Sequence, residues 1–167
     1  ISWNIQTFPQ LGTTPNYVKS LLETWNADIY LFQEIIEKNT LINMVNLMPE
    51  YSYVISGETS FMHFALVYKN ANSDCSACGT VTFNYSNELW SDTPNYNDND
   101  NDPANNAKYQ FASRPPMENF VTWTNGTKSV NLYLINVHYK CCGDSTLDVT
   151  NQSSETTRRH YASTLLR

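Results

Sequence analysis

The stretch Ala27-Asp28-Ile29-Tyr30-Leu31-Phe32-Gln33-Glu34 constrains the chain most, because an apolar run there ends directly in a carboxylate. A strand with one wet face alternates apolar and polar residues, whereas Ile29 to Phe32 does not alternate. Such a run is expected to be covered on both faces, as an interior strand of a layered protein. Glu34 then falls where the buried strand ends. A carboxylate in that position is partly desolvated and calls for a cation or a hydrogen-bond donor. The plainer reading is a strand cap that meets solvent, and the rest of the chain has to choose between them.

The neighbouring pattern supplies the layers. Ile1, Trp3 and Ile5 alternate with Ser2 and Asn4, so the chain opens as a strand with Asn4 on the face opposite the apolar residues. Thr14-Pro15 reads as a helix start, with Thr14 as N-cap, and Val18, Leu21, Leu22 and Trp25 recur at helical spacing. A second helix is expected over 41–48, stopped by Pro49. Strands follow at 51–56 and 61–68 around a Ser-Gly-Glu-Thr turn, and Val81, Phe83 and Tyr85 alternate again. Residues 91–108 are rich in Asn, Asp, Ser, Thr and Pro and read as a long loop. Strand pattern then resumes over 119–124, turns at Asn125-Gly126 and runs through 130–139. Ser154 and Glu155 open a last helix carrying Tyr161, Ala162, Leu165 and Leu166 on one side. The order predicts an α/β fold (α+β by some schemes) with strands predominating, in one domain spanning 1–167.

At 167 residues, 41% hydrophobic and 16% charged, the chain can build a packed core and should bury roughly 70% of its unfolded surface. Its net charge of −6 provides no general field to gather nucleic acid, so any phosphate recognition has to be local or carried by metal ions. No apolar run approaches membrane-spanning length. The sequence begins with Ile1 and shows no leader, so it is read as trimmed or as an excerpt. Four cysteines (Cys75, Cys78, Cys141, Cys142), Asn-x-Ser/Thr sequons at Asn84, Asn125 and Asn151, and a surface rich in Asn, Ser and Thr point to a secreted or otherwise extracytoplasmic protein.

The strand Val130 to His138 repeats the opening design, with an apolar middle and Asn136 and His138 at its tip. A histidine there can exchange protons near neutral pH, or can be a core residue satisfied by a backbone carbonyl. Three ordered segments now come together: Ser2-Trp3-Asn4-Ile5-Gln6-Thr7-Phe8, Ala27-Asp28-Ile29 leading to Gln33-Glu34, and Asn136-Val137-His138. Together they resemble the signatures of the endonuclease/exonuclease/phosphatase superfamily. Asn4 to Phe8 and Cys75-Ser76-Ala77-Cys78-Gly79 look most like its secreted deoxyribonuclease branch. Phe111-Ala112-Ser113-Arg114-Pro115 is similar to that branch's phosphate-contacting Phe-x-Arg-x-Pro segment, shifted by one residue.

The resemblance implies a two-sheet β-sandwich with flanking helices, the first half of a four-layer sandwich, and a metal-dependent phosphodiester hydrolase, an exported endonuclease acting on DNA as a monomer. Glu34, with Asn4, would bind Mg²⁺ or Mn²⁺; His138, Glu34 and Asn4 would be catalytic; Arg114 and Asn136 would contact substrate; Cys75 and Cys78 would form a disulfide. The superfamily's Gly-Asp-x-Asn and Ser-Asp-His segments have no match, so the domain is expected to be incomplete at its C-terminal side. The branch's Arg two residues after the metal-binding Glu is replaced by Ile36, and the Glu of a later strand has no counterpart in Phe61-Met62-His63. A sphingomyelinase-like phospholipase, an inositol- or sugar-phosphate phosphatase, and a non-catalytic secreted binding module are the alternatives. Asp98, Asp100 and Asp102 alternate as in calcium loops but lack the later Gly and Glu, so a structural Ca²⁺ competes with a solvated acidic loop. Cys141 and Cys142 are left between a bond outside this sequence and a thiolate zinc site. His63 is read as structural, and Arg158, Arg159 and His160 as a solvated helix face.

Overall fold

The computed structural model describes residues 1–57, 62–142 and 146–167. The expected turn residues Glu58 and Thr59, and Phe61 at the expected strand start, lie outside the described residues. The chain forms two compact units, one made of Ile1–Asn87 with Met117–Asn136, the other of Glu88–Pro116 with Val137–Arg167.

The first unit begins with β1 (Ser2–Phe8), α1 (Thr14–Trp25), β2 (Ile29–Ile35), α2 (Lys38–Val45), β3 (Tyr51–Ile55) and β4 (His63–Lys69). The strands form a four-stranded sheet in the order β1-β2-β4-β3. β1 runs parallel to β2, and β4 is antiparallel to both β2 and β3. The antiparallel β3–β4 pair makes the sheet mixed. β2 is therefore an interior strand, as its apolar run requires. Tyr30, Phe32 and Ile35 are fully buried with Val18, Leu22, Leu41 and Met44 from the helices, while Ile29 and Leu31 pack the opposite way, against a second core. Each fully buried large side chain contributes roughly 1.5–3 kcal/mol. α1 is capped by Thr13, with Thr14 inside its first turn, and ends at Asn26, whose φ of 50° is the left-handed cap that asparagine tolerates.

That second core joins the four-stranded sheet to a three-stranded one made of β5 (Thr80–Glu88), β6 (Met117–Asn125) and β7 (Lys128–Asn136), in that order. Leu66 of β4 meets Val81 and Val121, flanked by Phe83, Trp123, Leu132 and Leu134. The predicted hairpin forms with Asn125 opposite Lys128 and Gly126 at φ 58°, a conformation that favours glycine. β7 departs from its expected pattern. It lies at the sheet edge with Tyr133 64% and Ile135 42% exposed, so only one face is buried among the described residues. It also stops at Asn136, leaving His138 beyond the strand instead of at its tip.

Below the sheets, Asp28 collects three donors. Its Oδ2 accepts from Trp123 Nε1 at 2.7 Å and from the Gly79 N–H at 3.1 Å, and its Oδ1 lies 3.7 Å from the fully buried Lys69 Nζ. Lys69 donates as well to Asn26 O and to Cys78 Sγ, which is bonded to Cys75. Cys141 and Cys142 are exposed thiols. Gly79 has no room for a side chain: a Cβ there would fall 1.9 Å from Trp123 Nε1.

The second unit holds α3 (Ala107–Gln110) and α4 (Glu155–Leu165). Phe111 is its aromatic centre, stacked between Trp90 (5.5 Å) and Tyr139 (6.2 Å). α4 begins as its sequence predicts, with Ser154 Oγ accepting from the Thr157 N–H, and buries Thr157 and Ala162. Arg158 does not belong to a solvated face. Its guanidinium lies 3.8 Å over the Tyr109 ring and donates to Tyr109 O. In the 91–108 segment, Asp98, Asp100 and Asp102 each accept the backbone N–H two residues on. A run of Asx turns thus accounts for their alternate spacing.

Gly79→Ala is expected to cost about 1–3 kcal/mol by forcing Trp123 off Asp28, measurable as a lower urea midpoint at unchanged slope. His63 offers a second test. It is buried, and burial followed by the Lys38 charge holds its pKa below the ordinary value. The unfolded chain therefore takes up a proton more readily than the folded one, and stability should fall as pH drops below about 6.5. His63→Leu should remove that part of the slope; an unchanged pH profile from 7 down to about 5 would contradict it.

Candidate functional site

Two irregularities in the first sheet shape the surroundings of Glu34. Between β1 and β2 the register passes from Asn4↔Gln33 to Phe8↔Ile35, so β1 carries two residues more than its partner. Those residues include Gln6 (φ 39°) and Thr7 (φ 51°), both in the left-handed region. Between β2 and β4 the register passes from Phe32↔Ala65 to Ile35↔His63, adding one residue to β2. Glu34 lies in this bulge at φ 64°. Left-handed backbone costs a non-glycine residue on the order of 1 kcal/mol or more, and bulges of this kind re-aim a side chain beside functional sites. Glu34 is thus inside the strand and turned by a bulge, not a cap at its end.

The turned carboxylate is held by neutral donors. Asn4 Nδ2 donates to Oε1 at 2.9 Å and the Thr7 N–H donates to Oε2 at 3.1 Å. Asn4 Oδ1 in turn accepts the Gln6 N–H at 2.9 Å, so the extra residues of β1 fix both Asn4 and Glu34. Glu34 is half-buried and Asn4 exposed, leaving the pair reachable from solvent. A carboxylate oxygen can accept more than one hydrogen bond or ligand. The sequence motif found Asn4 and Glu34. The part played by Thr7 runs through its backbone N–H and leaves no side-chain signal to read.

Asn136 sits deeper, 1% exposed at the end of β7. Its Nδ2 donates to Phe32 O (2.8 Å) and Ala65 O (3.3 Å), and its Oδ1 accepts from Gln33 Nε2 at 2.6 Å. Gln33 Nε2 also reaches Ser2 Oγ and Leu31 O. Asn136 therefore fastens the edge of one sheet to the middle of the other, directly beneath the Glu34 bulge. Gln33 shows its role only through these contacts; the one signal for it in the sequence is its place beside Glu34 in an apolar strand.

In the second unit, Arg114 donates to Tyr139 O at 3.4 Å, one residue beyond His138. Both Arg114 and His138 are half-buried. Ala112 (φ 54°) and Ser113 (φ 61°), which precede Arg114, are consecutive left-handed residues. The site residues are thus divided, with Asn4, Glu34 and Asn136 in one unit and Arg114 and His138 in the other.

A divalent cation fits the Asn4–Glu34 pair in donor chemistry. Both are hard oxygen ligands on an accessible edge, and Mg²⁺ in particular binds through one or two carboxylates while keeping several waters. Among the described residues, no group of three or more His, Cys, Asp and Glu side chains is arranged to hold a metal, so any ion here would rest on a sparse protein shell.

No family model matches the chain, and no curated protein matches it either. Among solved structures it is similar to truncated TDP2 from Caenorhabditis elegans, at 15% identity and a TM-score of 0.53, over 84% of this chain and 45% of that one. The likeness shows the fold alone, a two-sheet sandwich with helices. The chain spans less than half the length of that protein.

Asn136→Ala should cost about 2–4 kcal/mol, because it removes three hydrogen bonds from a buried junction and leaves space where the amide stood. Chemical denaturation reads the loss directly. A cost below about 0.5 kcal/mol, typical of surface positions, would show that the amide does not fasten the sheets.

Proposed function

We propose that this chain carries part of the site of a metal-dependent phosphodiester hydrolase, an exported endonuclease acting on DNA. The observation that carries the reading is Glu34, a reachable carboxylate turned by a strained bulge and fixed from two sides by Asn4 and the Thr7 N–H. Strain of this kind persists where the surrounding structure over-determines it, and it gathers at functional sites. The motif order and the fold agree with the reading. The Cys75–Cys78 bond supports an oxidising, extracytoplasmic setting.

In this reading Glu34, with Asn4, holds Mg²⁺ or Mn²⁺, which when bound offsets charge on the phosphoryl group. Asn4 Nδ2 and the Thr7 N–H keep the carboxylate in one orientation, so no rearrangement is needed when charge arrives. Asn136 and Gln33 act as positioning residues by fixing β2 below the bulge. Arg114 neutralises a substrate phosphate, and His138 hydrogen-bonds the phosphate or protonates the departing oxygen. A local metal and a few cations suit a protein whose net charge of −6 repels DNA at long range.

Glu34→Gln in the full protein should lower metal-dependent plasmid nicking by about 10²–10³-fold and weaken Mn²⁺ binding measured by calorimetry. His138→Ala should lower nicking without changing Mn²⁺ affinity. Normal nicking by both variants would overturn the assignment. Cleavage of sphingomyelin or of inositol phosphates, with DNA left intact, would replace the nuclease reading by one of its relatives.

A further inference from the structure

All four arginines of the chain (Arg114, Arg158, Arg159 and Arg167) lie in the second unit, together with Lys108 and Lys140. Eight Asp and Glu residues of the same unit outnumber these six cations, so positive character arises only where the cations gather. Within it, Asn95, Tyr109, Ala112, Ser113, Lys140 and Arg158 line an open pocket of about 280 Å³. The lining is wrong for an apolar ligand. Typical small-molecule sites are larger and mainly hydrophobic, whereas this one presents a guanidinium, an ammonium, a hydroxyl and an amide.

Each cation is held in place. Arg158 is stacked on Tyr109 and donates to Tyr109 O, so its planar fork is ordered before any ligand arrives. Among the described residues its buried Nε has no hydrogen-bond partner. A buried donor of this kind is costly and calls for an acceptor. The backbone carrying Lys140 is fixed by Arg159, which donates to Lys140 O at 3.4 Å, and by Arg114, which donates to Tyr139 O at 3.4 Å. One carboxylate faces the pair: Glu155 Oε1 lies 3.3 Å from Lys140 Nζ. Two cations against one carboxylate leave a net positive pocket. Its wall is strained at Ala112 (φ 54°) and Ser113 (φ 61°), and Ser113 Oγ donates to Asn95 Oδ1 at 2.6 Å.

We infer that this pocket is a binding site for a phosphate group, separate from the Glu34 pair and from Arg114. Arg158 supplies its guanidinium, Lys140 supplies a point charge shared with Glu155, and Asn95 and Ser113 complete the polar wall. Guanidinium and ammonium groups together are the donor set that a tetrahedral oxyanion selects. The group can come from free phosphate or from an internal phosphodiester of a nucleic-acid strand, and the two sources present the same oxygens.

The test is a metal-free titration of the ¹⁵N-labelled protein at fixed ionic strength, following the Arg158 Nε–Hε resonance and the Ser113 amide. Inorganic phosphate is added in one arm, the dinucleotide d(TpT) in a second and chloride in a third. Saturable shifts with phosphate, with d(TpT) or with both support the site and identify its source. Lys140→Met, a change at a partly exposed residue, should weaken the affinity about tenfold, and Lys140→Arg should restore most of it. The inference is overturned if neither phosphate nor d(TpT) moves these resonances, if chloride moves them equally, or if Lys140→Met binds as tightly as the unaltered protein. Because no metal and no turnover enter the measurement, failure here leaves the hydrolase reading standing, and failure of that reading leaves this one standing.

Discussion

The interaction on which the first unit's site depends is the fixing of the Glu34 carboxylate by Asn4 and by the backbone of Thr7. Neither contact is possible in a regular sheet. In a regular parallel pair, Asn4 and Glu34 would keep their ladder positions and the Thr7 N–H would bond a strand neighbour. Two extra residues on one strand and one on the next break that ladder. The energy for three left-handed residues comes from the strand below them, where Tyr30, Phe32 and Ile35 have no exposure at all. A stiff, doubly covered strand can carry a distorted end that a half-exposed strand would relax.

Much of this arrangement was legible in the sequence. The unalternating run Ile29 to Phe32 announced an interior strand, and the polar residues at its end marked where chemistry could sit. Helix spacing and the Ser154 cap located α1 and α4 closely. What failed to show follows from physics that residue types do not carry. The bulges depend on register between strands distant in sequence, and nothing in Gln6, Thr7 or Glu34 favours a positive φ. β7 looked covered on both faces because Tyr133 and Ile135 are apolar, yet they stand on its outer face, opposite the core-facing Leu132 and Leu134, and are exposed among the described residues. Arg158 looked solvated because charged residues near a helix start usually are. Its contact with Tyr109 joins residues far apart in the chain.

The distribution of charge divides labour in a way that composition hides. The first unit offers oxygen ligands and a desolvated sheet junction. The second unit gathers every guanidinium, each placed against backbone carbonyls or an aromatic ring where its contacts are described. Guanidinium groups held this way lose little freedom when an anion binds, so their contribution to recognition exceeds what a mobile surface lysine could give. A protein with a net negative charge can in this way be repelled by polyanions at a distance and selective for them at contact.

The side chain of Asn136 has one more consequence. Three hydrogen bonds tie it to Phe32, Ala65 and Gln33, partners that lie in two strands of the opposite sheet. Sliding β7 by one residue along β6 would aim Asn136 away from all three and bring Tyr133 and Ile135 into the core in place of Leu132 and Leu134. The apolar pattern alone tolerates that slip, since both sets are hydrophobic. The amide does not. Asn136 works as the key that tells two nearly equivalent alignments apart, so the one buried asparagine of β7 selects the structure by making its closest competitor chemically intolerable.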